Sequence, residues 1–203
     1  MRLCVRSFLF DSGLYGLSIM MQNRGNVFLI GFMGSGKTTI GRLLAQEMGW
    51  DFIDLDEMIE RREGMSIENI FDTHGEVYFR RVEMSLLKEI VSKSRTVIAL
   101  GGGTPTQDAT WPLLRRNGVV VYLRCRVDEL YRRLQDDNNR PLLRRVPPAC
   151  RATALEQRLQ RIEELLILRE PFYRRADFVV DSTSHQRPKD LAETVCAMVR
   201  EKL

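Results

Sequence analysis

The chain has 203 residues, 44% apolar and 29% charged, enough for one domain with a real core and unlike disordered or collagen-like chains. Its formal charge is +4 with a pI near 9.0, carried by 26 Arg and only five Lys, which favours anionic partners. No continuous basic stripe or aromatic stacking motif suggests nucleic acid, and no apolar run reaches the roughly 18–20 residues that span a bilayer.

Residues 1–25 read as an N-terminal extension, poorly ordered or a mis-assigned start, ahead of a domain at 26–203. Arg2 and Arg6 precede a mildly apolar stretch that Asp11 interrupts, and no small-residue cleavage pattern follows. Met20 and Met21 stand just before the first strong strand, so residues 1–22 are expected to be dispensable. Val27–Gly31 then reads as a buried strand and Thr38–Met48 as a helix with Ile40, Leu43, Leu44 and Met48 on one face. Phe52–Leu55 is a second strand; Asp56–Arg62, Ser66–Asp72 and Glu76–Ser92 are helices, the middle one capped by Ser66.

Thr96–Leu100, the third strand, runs straight into Gly101-Gly102-Gly103. A helix at Asp108–Arg116, a strand at Val119–Leu123 and a helix at Val127–Gln135 follow. The segment Asp136–Arg151 mixes Asp, Asn, Pro and Arg with little periodicity, and reads as a mobile lid at about 136–152. A helix at Thr153–Leu168, a strand at Phe178–Val180 and a helix at Pro188–Glu201 close the chain. Five strands alternating with helices imply an α/β, three-layer αβα architecture on a parallel sheet. The four cysteines, at positions 4, 125, 150 and 196, have no disulfide-scaffold or metal-ligand spacing, so a reducing, cytoplasmic setting is expected.

Gly31 to Thr38 fits G-x-x-x-x-G-K-[ST] in full, between a strand and an amphipathic helix, as phosphate binding requires. The backbone at Gly34, Ser35, Gly36, Lys37, Thr38 and Thr39 would wrap the phosphates of a nucleoside triphosphate. Lys37 would bridge β- and γ-oxygens, and the Thr38 hydroxyl would ligate one Mg²⁺. Asp54 and Asp56 would share a strand face at the sheet's carboxyl edge. One would serve the metal shell and the other a substrate hydroxyl, although Asp56 equally suits a helix cap. The three glycines suggest either a close approach to the backbone or a loose turn. No Asp ends the third strand, which moves the metal-facing carboxylate to Asp54, through water.

These pieces, in this order, resemble the shikimate kinase family. They are G-F-M-G-S-G-K-T-T-I-G-R-x-L-A at 31–45, F-I-D-L-D at 52–56 and S-I-x-x-I-F-x-x-x-G-E-x-x-F-R-R-x-E at 66–83, then L-G-G-G at 100–103, R-P-L-L at 140–143 and R-x-P-x-Y at 169–173. The resemblance implies ATP-dependent phosphorylation of the shikimate 3-hydroxyl, a step of aromatic amino-acid biosynthesis, by a monomer with ATP and shikimate as partners. It implies that Arg80 and Arg169 grip the substrate carboxylate, that Asp56 takes the hydroxyl, and that Gly101, Gly102 and Gly103 lie against the ring. Arg140 would close over the phosphates from the lid, and Arg133 and Pro188 would sandwich adenine; Gln186 stands where some relatives carry Arg. A gluconate-kinase-like enzyme should lack the F-R-R helix and the triple glycine. A non-catalytic ATP-binding module should show a broken phosphate loop, Asp56 or lid arginine.

Overall fold

The computed structural model describes residues 25–134 and 154–203. The expected extension as far as residue 24 and the expected lid with Arg140 lie outside the described residues. Five strands, β1 (Asn26–Ile30), β2 (Asp51–Asp54), β3 (Thr96–Ala99), β4 (Gly118–Arg124) and β5 (Phe178–Asp181), form a parallel sheet in the order β2-β3-β1-β4-β5. The helices are α1 (Lys37–Met48), α2 (Leu55–Glu63), α3 (Ile67–Ile90), α4 (Thr110–Asn117), α5 (Val127–Leu134), α6 (Ala154–Tyr173) and α7 (Pro188–Arg200).

The central strand β1 is buried along its whole length, which explains its unbroken apolar run. Val27 and Leu29 pack with Leu44 of α1 and Val195 of α7 on one face of the sheet. Phe28 and Ile30 pack with Leu87 of α3, Leu130 of α5 and Ile162 of α6 on the other. Two cores, one on each face, give the expected three layers. Phe28 lies between Ile98 of β3 and Val120 of β4, so three strand ends sit side by side around the turn that follows β1. The connections lead from β1 toward β2 and from β3 back across to β4, which opens a crevice at that carboxyl edge. Among the described residues no helix is long and apolar enough to cross a membrane.

Most element ends shift by a residue or two from the sequence reading, and at three places the difference has a clear physical reason. β2 stops at Asp54, because the Asp54 side chain accepts from the N–H groups of Asp56 and Glu57 and starts α2 one residue later. Asp56 therefore sits in the first turn of a helix, not on a strand. The two helices expected at 66–72 and 76–92 are both present and abut as α3 across a kink at Gly75, whose φ of 79° and ψ of 172° are non-helical. Beyond Leu168, α6 continues through Pro171 to Tyr173. The carbonyl that Pro171 cannot pair belongs to Ile167, on an exposed side of the helix where water can take the missing bond.

Candidate active site

The chain leaves β1 through the phosphate loop, with Gly34 (φ 78°) and Gly36 (φ 95°) in the left-handed region that glycine adopts without strain. Helix α1 starts at Lys37 and presents its unpaired N–H groups and positive dipole end to a cavity of about 510 Å³. Gly34, Gly36, Lys37, Thr38 and Thr39 line that cavity. The Lys37 ammonium donates to the carbonyls of Gly31 (3.0 Å) and Phe32 (2.9 Å), folding over the loop that would hold phosphates. Ser35 is turned inward: it is fully buried, and its Oγ has no hydrogen-bond partner.

Thr38 Oγ1 donates to Asp54 Oδ2 at 2.7 Å, while Asp54 Oδ1 caps α2. The capping role open to Asp56 thus belongs to Asp54. A hydroxyl and a carboxylate oxygen side by side beneath the loop are hard donors that suit Mg²⁺. Among the described residues no group of three or more His, Cys, Asp or Glu forms a metal cluster.

The far wall of the first cavity is built around Arg133, on α5. Its Nε donates to Glu129 (2.6 Å), and one terminal nitrogen donates to the Gly34 carbonyl (3.2 Å) and Ser182 Oγ (3.1 Å). Burial opposes the charge on Glu129, but hydrogen bonds from Arg132 and Arg133 outweigh it and hold the carboxyl below its usual range. Pro188 and Gln186 line this end with Ser182, Thr183 and Ser184. Sequence reasoning passed over that hydroxyl run. Its signal was topological: it directly follows the last strand at the carboxyl edge of a parallel sheet.

A second cavity, of about 630 Å³, opens beside the first and holds Arg80, Arg169 and the three glycines. Arg80, on the second half of α3, donates to Glu83 at 2.8 Å and to the more exposed Glu76 at 3.2 Å. Burial works against its charge, yet Glu83 and then Glu76 more than compensate and raise its pKa further. Glu83 itself is fully buried and also accepts from Thr104 Oγ1 (2.5 Å) and Gln107 Nε2 (2.7 Å). It was part of the quoted sequence block but received no role. Arg169 is only 8% exposed, with its guanidinium 5.7 Å from the Phe32 ring centroid.

The glycine turn brings these charged groups together. A Cβ on Gly101 would lie 2.7 Å from Asp56 Oδ1, one on Gly102 3.2 Å from an Arg169 nitrogen, and one on Gly103 2.5 Å from an Arg80 nitrogen. The close approach read from the sequence is thus made by the protein's own side chains. The two cavities share Met33, Thr38, Asp54, Asp56 and Gly102. An anion-binding loop on one side and two arginines on the other flank a carboxylate, the layout for phosphoryl transfer to an acidic small molecule.

A gluconokinase from Sinorhizobium meliloti superposes with a TM-score of 0.55 at 16% identity over 89% of this chain and 94% of its own, which shows a shared fold alone. Shikimate kinase from Acinetobacter baumannii, solved in complex with shikimate, superposes with a TM-score of 0.79 at 36% identity, covering 91% of this chain and 98% of its own. The shikimate kinase of Methylococcus capsulatus is 45% identical over 166 residues, 81% of this chain and 87% of the relative. That of Thermodesulfovibrio yellowstonii is 42% identical over 170 residues, 84% and 92% respectively. The family model for shikimate kinase matches residues 33–200. With Gly34 to Thr38 of the phosphate loop, Arg80, Arg169 and the glycine turn inside that span, the chain belongs to the shikimate kinase family, kinases that use ATP as co-substrate.

Proposed function

We propose that this chain transfers the γ-phosphoryl group of ATP to the 3-hydroxyl of shikimate with one Mg²⁺ per subunit, giving shikimate 3-phosphate and ADP. The observation that carries this reading is the wall shared by the two cavities, where Asp56 stands between the phosphate loop and the arginine-lined site. Triphosphate would occupy the first cavity, with adenine between Arg133 and Pro188. Lys37 would exchange its loop carbonyls for β- and γ-phosphate oxygens. Thr38 and Asp54 would hold Mg²⁺, which when bound neutralises phosphate charge.

Shikimate would enter the second cavity with its carboxylate against Arg80 and Arg169 and its ring along Gly101–Gly103. Hydrogen bonds to charged groups contribute about 1.5–3 kcal/mol each, so two guanidinium contacts supply much of the recognition. Asp56 orients the 3-hydroxyl and takes its proton as the oxygen bonds to the γ-phosphorus and the β–γ bridge breaks, releasing ADP. Arg140, outside the described residues, would close over the phosphates and exclude water. Cys125 and Cys196 are buried free thiols, which suits a reducing cytoplasm.

Steady-state ADP release with ATP and Mg²⁺, comparing shikimate with gluconate, tests the proposal beside a Lys37→Ala control. Turnover of shikimate that the substitution abolishes is expected. Turnover of gluconate alone, or none by the parent chain, would overturn it.

A further inference from the structure

The motif R-x-P-x-Y at 169–173 ends in a tyrosine that the reaction scheme leaves idle. Tyr173 is fully buried, and its Oη donates to the Gly102 carbonyl at 2.6 Å. Its ring packs against Tyr122 at a centroid distance of 5.1 Å. Arg169 lies four residues earlier, one turn away on the same side of α6. One of its guanidinium nitrogens sits 3.2 Å from where a Gly102 Cβ would be. The hydroxyl therefore anchors the stretch of backbone that lies against the guanidinium. Burial pushes the phenol up to about 12, with Arg169 pulling downward, so it stays a neutral donor at working pH.

Anchoring the Gly102 carbonyl fixes more than one atom. In the trans peptide the N–H of Gly103 points away from the tyrosine, and the hydrogen bond on the carbonyl restrains rotation of the plane between the two glycines. Glycines resist such rotation poorly by themselves, having the widest conformational choice. Gly102 lines both cavities and Gly103 the second, so a slack peptide here would loosen the floor on which the substrate rests.

We propose that Tyr173 is a positioning residue for shikimate binding: its buried hydroxyl holds the Gly102 carbonyl and so fixes the backbone against which Arg169 lies. The inference rests on the assignment of Arg169 to the shikimate carboxylate. It predicts a selective effect, because Tyr173 lines neither cavity and touches the substrate only through these two groups.

Tyr173→Phe removes the hydroxyl and keeps the ring. The full chain carrying it is expected to show a shikimate KM raised about five- to tenfold, with the ATP KM within twofold and kcat changed less than threefold. Tyr122→Phe, in the packed neighbouring ring, is the packing control and should leave the shikimate KM unchanged. An unchanged shikimate KM in Tyr173→Phe, equal rises for both substrates, an equal rise in Tyr122→Phe, or a Tyr173→Phe chain that fails to fold by circular dichroism would overturn the tether. Arg169→Ala, assayed alongside, separates the two levels. If it leaves the shikimate KM unchanged, the assignment of Arg169 fails; if it raises that KM while Tyr173→Phe does not, the tether alone fails.

Discussion

Replacing Glu83 with Gln tests whether the buried carboxylate, rather than the arginine alone, builds the second cavity. The side chain is 1% exposed, and its two oxygens serve three donors: Arg80 and Gln107 share Oε2, while Thr104 uses Oε1. In the amide, the oxygen can stay with Arg80 and Gln107 while the new NH₂ faces the Thr104 hydroxyl, which can rotate to accept. Hydrogen-bond geometry then survives and the charge is lost. Bonds to a charged partner contribute about 1.5–3 kcal/mol against about 0.5–1.5 for neutral ones, so the expected destabilisation is about 2 kcal/mol. For a domain of this size that is a Tm lower by roughly 4–8 °C. Glu76 cannot take over, since its pairing with Arg80 is 62% exposed on the acidic side and contributes little. A guanidinium contact weakened by about 1.4 kcal/mol raises the shikimate KM tenfold. The ATP KM should stay within twofold, because none of Arg80, Thr104 and Gln107 lines the first cavity. Thermal melts and coupled ADP-release kinetics read both effects. A shikimate KM within twofold of the parent, or an ATP KM rising in parallel, would refute the reasoning.

Arg80→Ala should raise the shikimate KM at least tenfold in the same kinetics with little change for ATP, and an unchanged value would remove Arg80 from the carboxylate clamp. Gly103→Ala places a methyl 2.5 Å from the Arg80 guanidinium, at a backbone φ of −95° that alanine accepts. The clash is with the end of a flexible side chain, so the melt should fall by no more than about 2 °C, under 1 kcal/mol, while the shikimate KM rises; a large loss of Tm would show that backbone, not arginine, is displaced. Ser35→Ala deletes a buried hydroxyl that has no partner, so the Tm should hold or rise by roughly 2–4 °C with an unchanged ATP KM. A clear fall in Tm would mean that the hydroxyl is bonded after all.

Much of this architecture is legible in the sequence because apolar runs and glycines carry their own explanation. β1, β3 and β4 are continuous apolar segments buried on both faces, and the phosphate loop announces itself by spacing. The break between residues 72 and 76 was readable because only Gly75 there tolerates the backbone it adopts. Asp56 was misplaced for a physical reason. The I-D-L-D stretch alternates like a strand, and Leu55 is fully buried whether it ends a strand or starts a helix. Only the capping bonds of Asp54 decide between the two. Glu83 was undervalued because it occupies the buried stripe of α3, beside Phe79, Leu86 and Leu87, where periodicity expects an apolar residue. Its partners Thr104 and Gln107 come from another part of the chain. The end of α6 was cut short at Leu168 because Pro171 reads as a stop, and the continuation to Tyr173 is decided by tertiary contacts.

The glycine turn shows how charge geometry can be encoded by missing side chains. None of Gly101, Gly102 and Gly103 has a positive φ, so they are not there for a backbone conformation that other residues avoid. What they supply is space, each under a different charged group: Asp56 from α2, Arg169 from α6 and Arg80 from α3. Three helices that share no local sequence thereby bring a carboxylate and two guanidinium groups down onto three consecutive residues. Glycine costs roughly 0.5–1 kcal/mol relative to alanine where regular structure holds it, and it offers no packing in return. The return is in the site instead. A methyl at Gly103 would meet the Arg80 guanidinium and one at Gly102 chiefly Arg169, whereas one at Gly101 would crowd Asp56 together with Thr104 Oγ1 (3.1 Å) and Glu83 Oε1 (3.2 Å). Gly102, in the middle, borders both cavities, and its carbonyl is the one held from behind by Tyr173. The spacing between the phosphate loop and the arginine clamp is therefore set by a strip of bare backbone whose own orientation is fixed from the core.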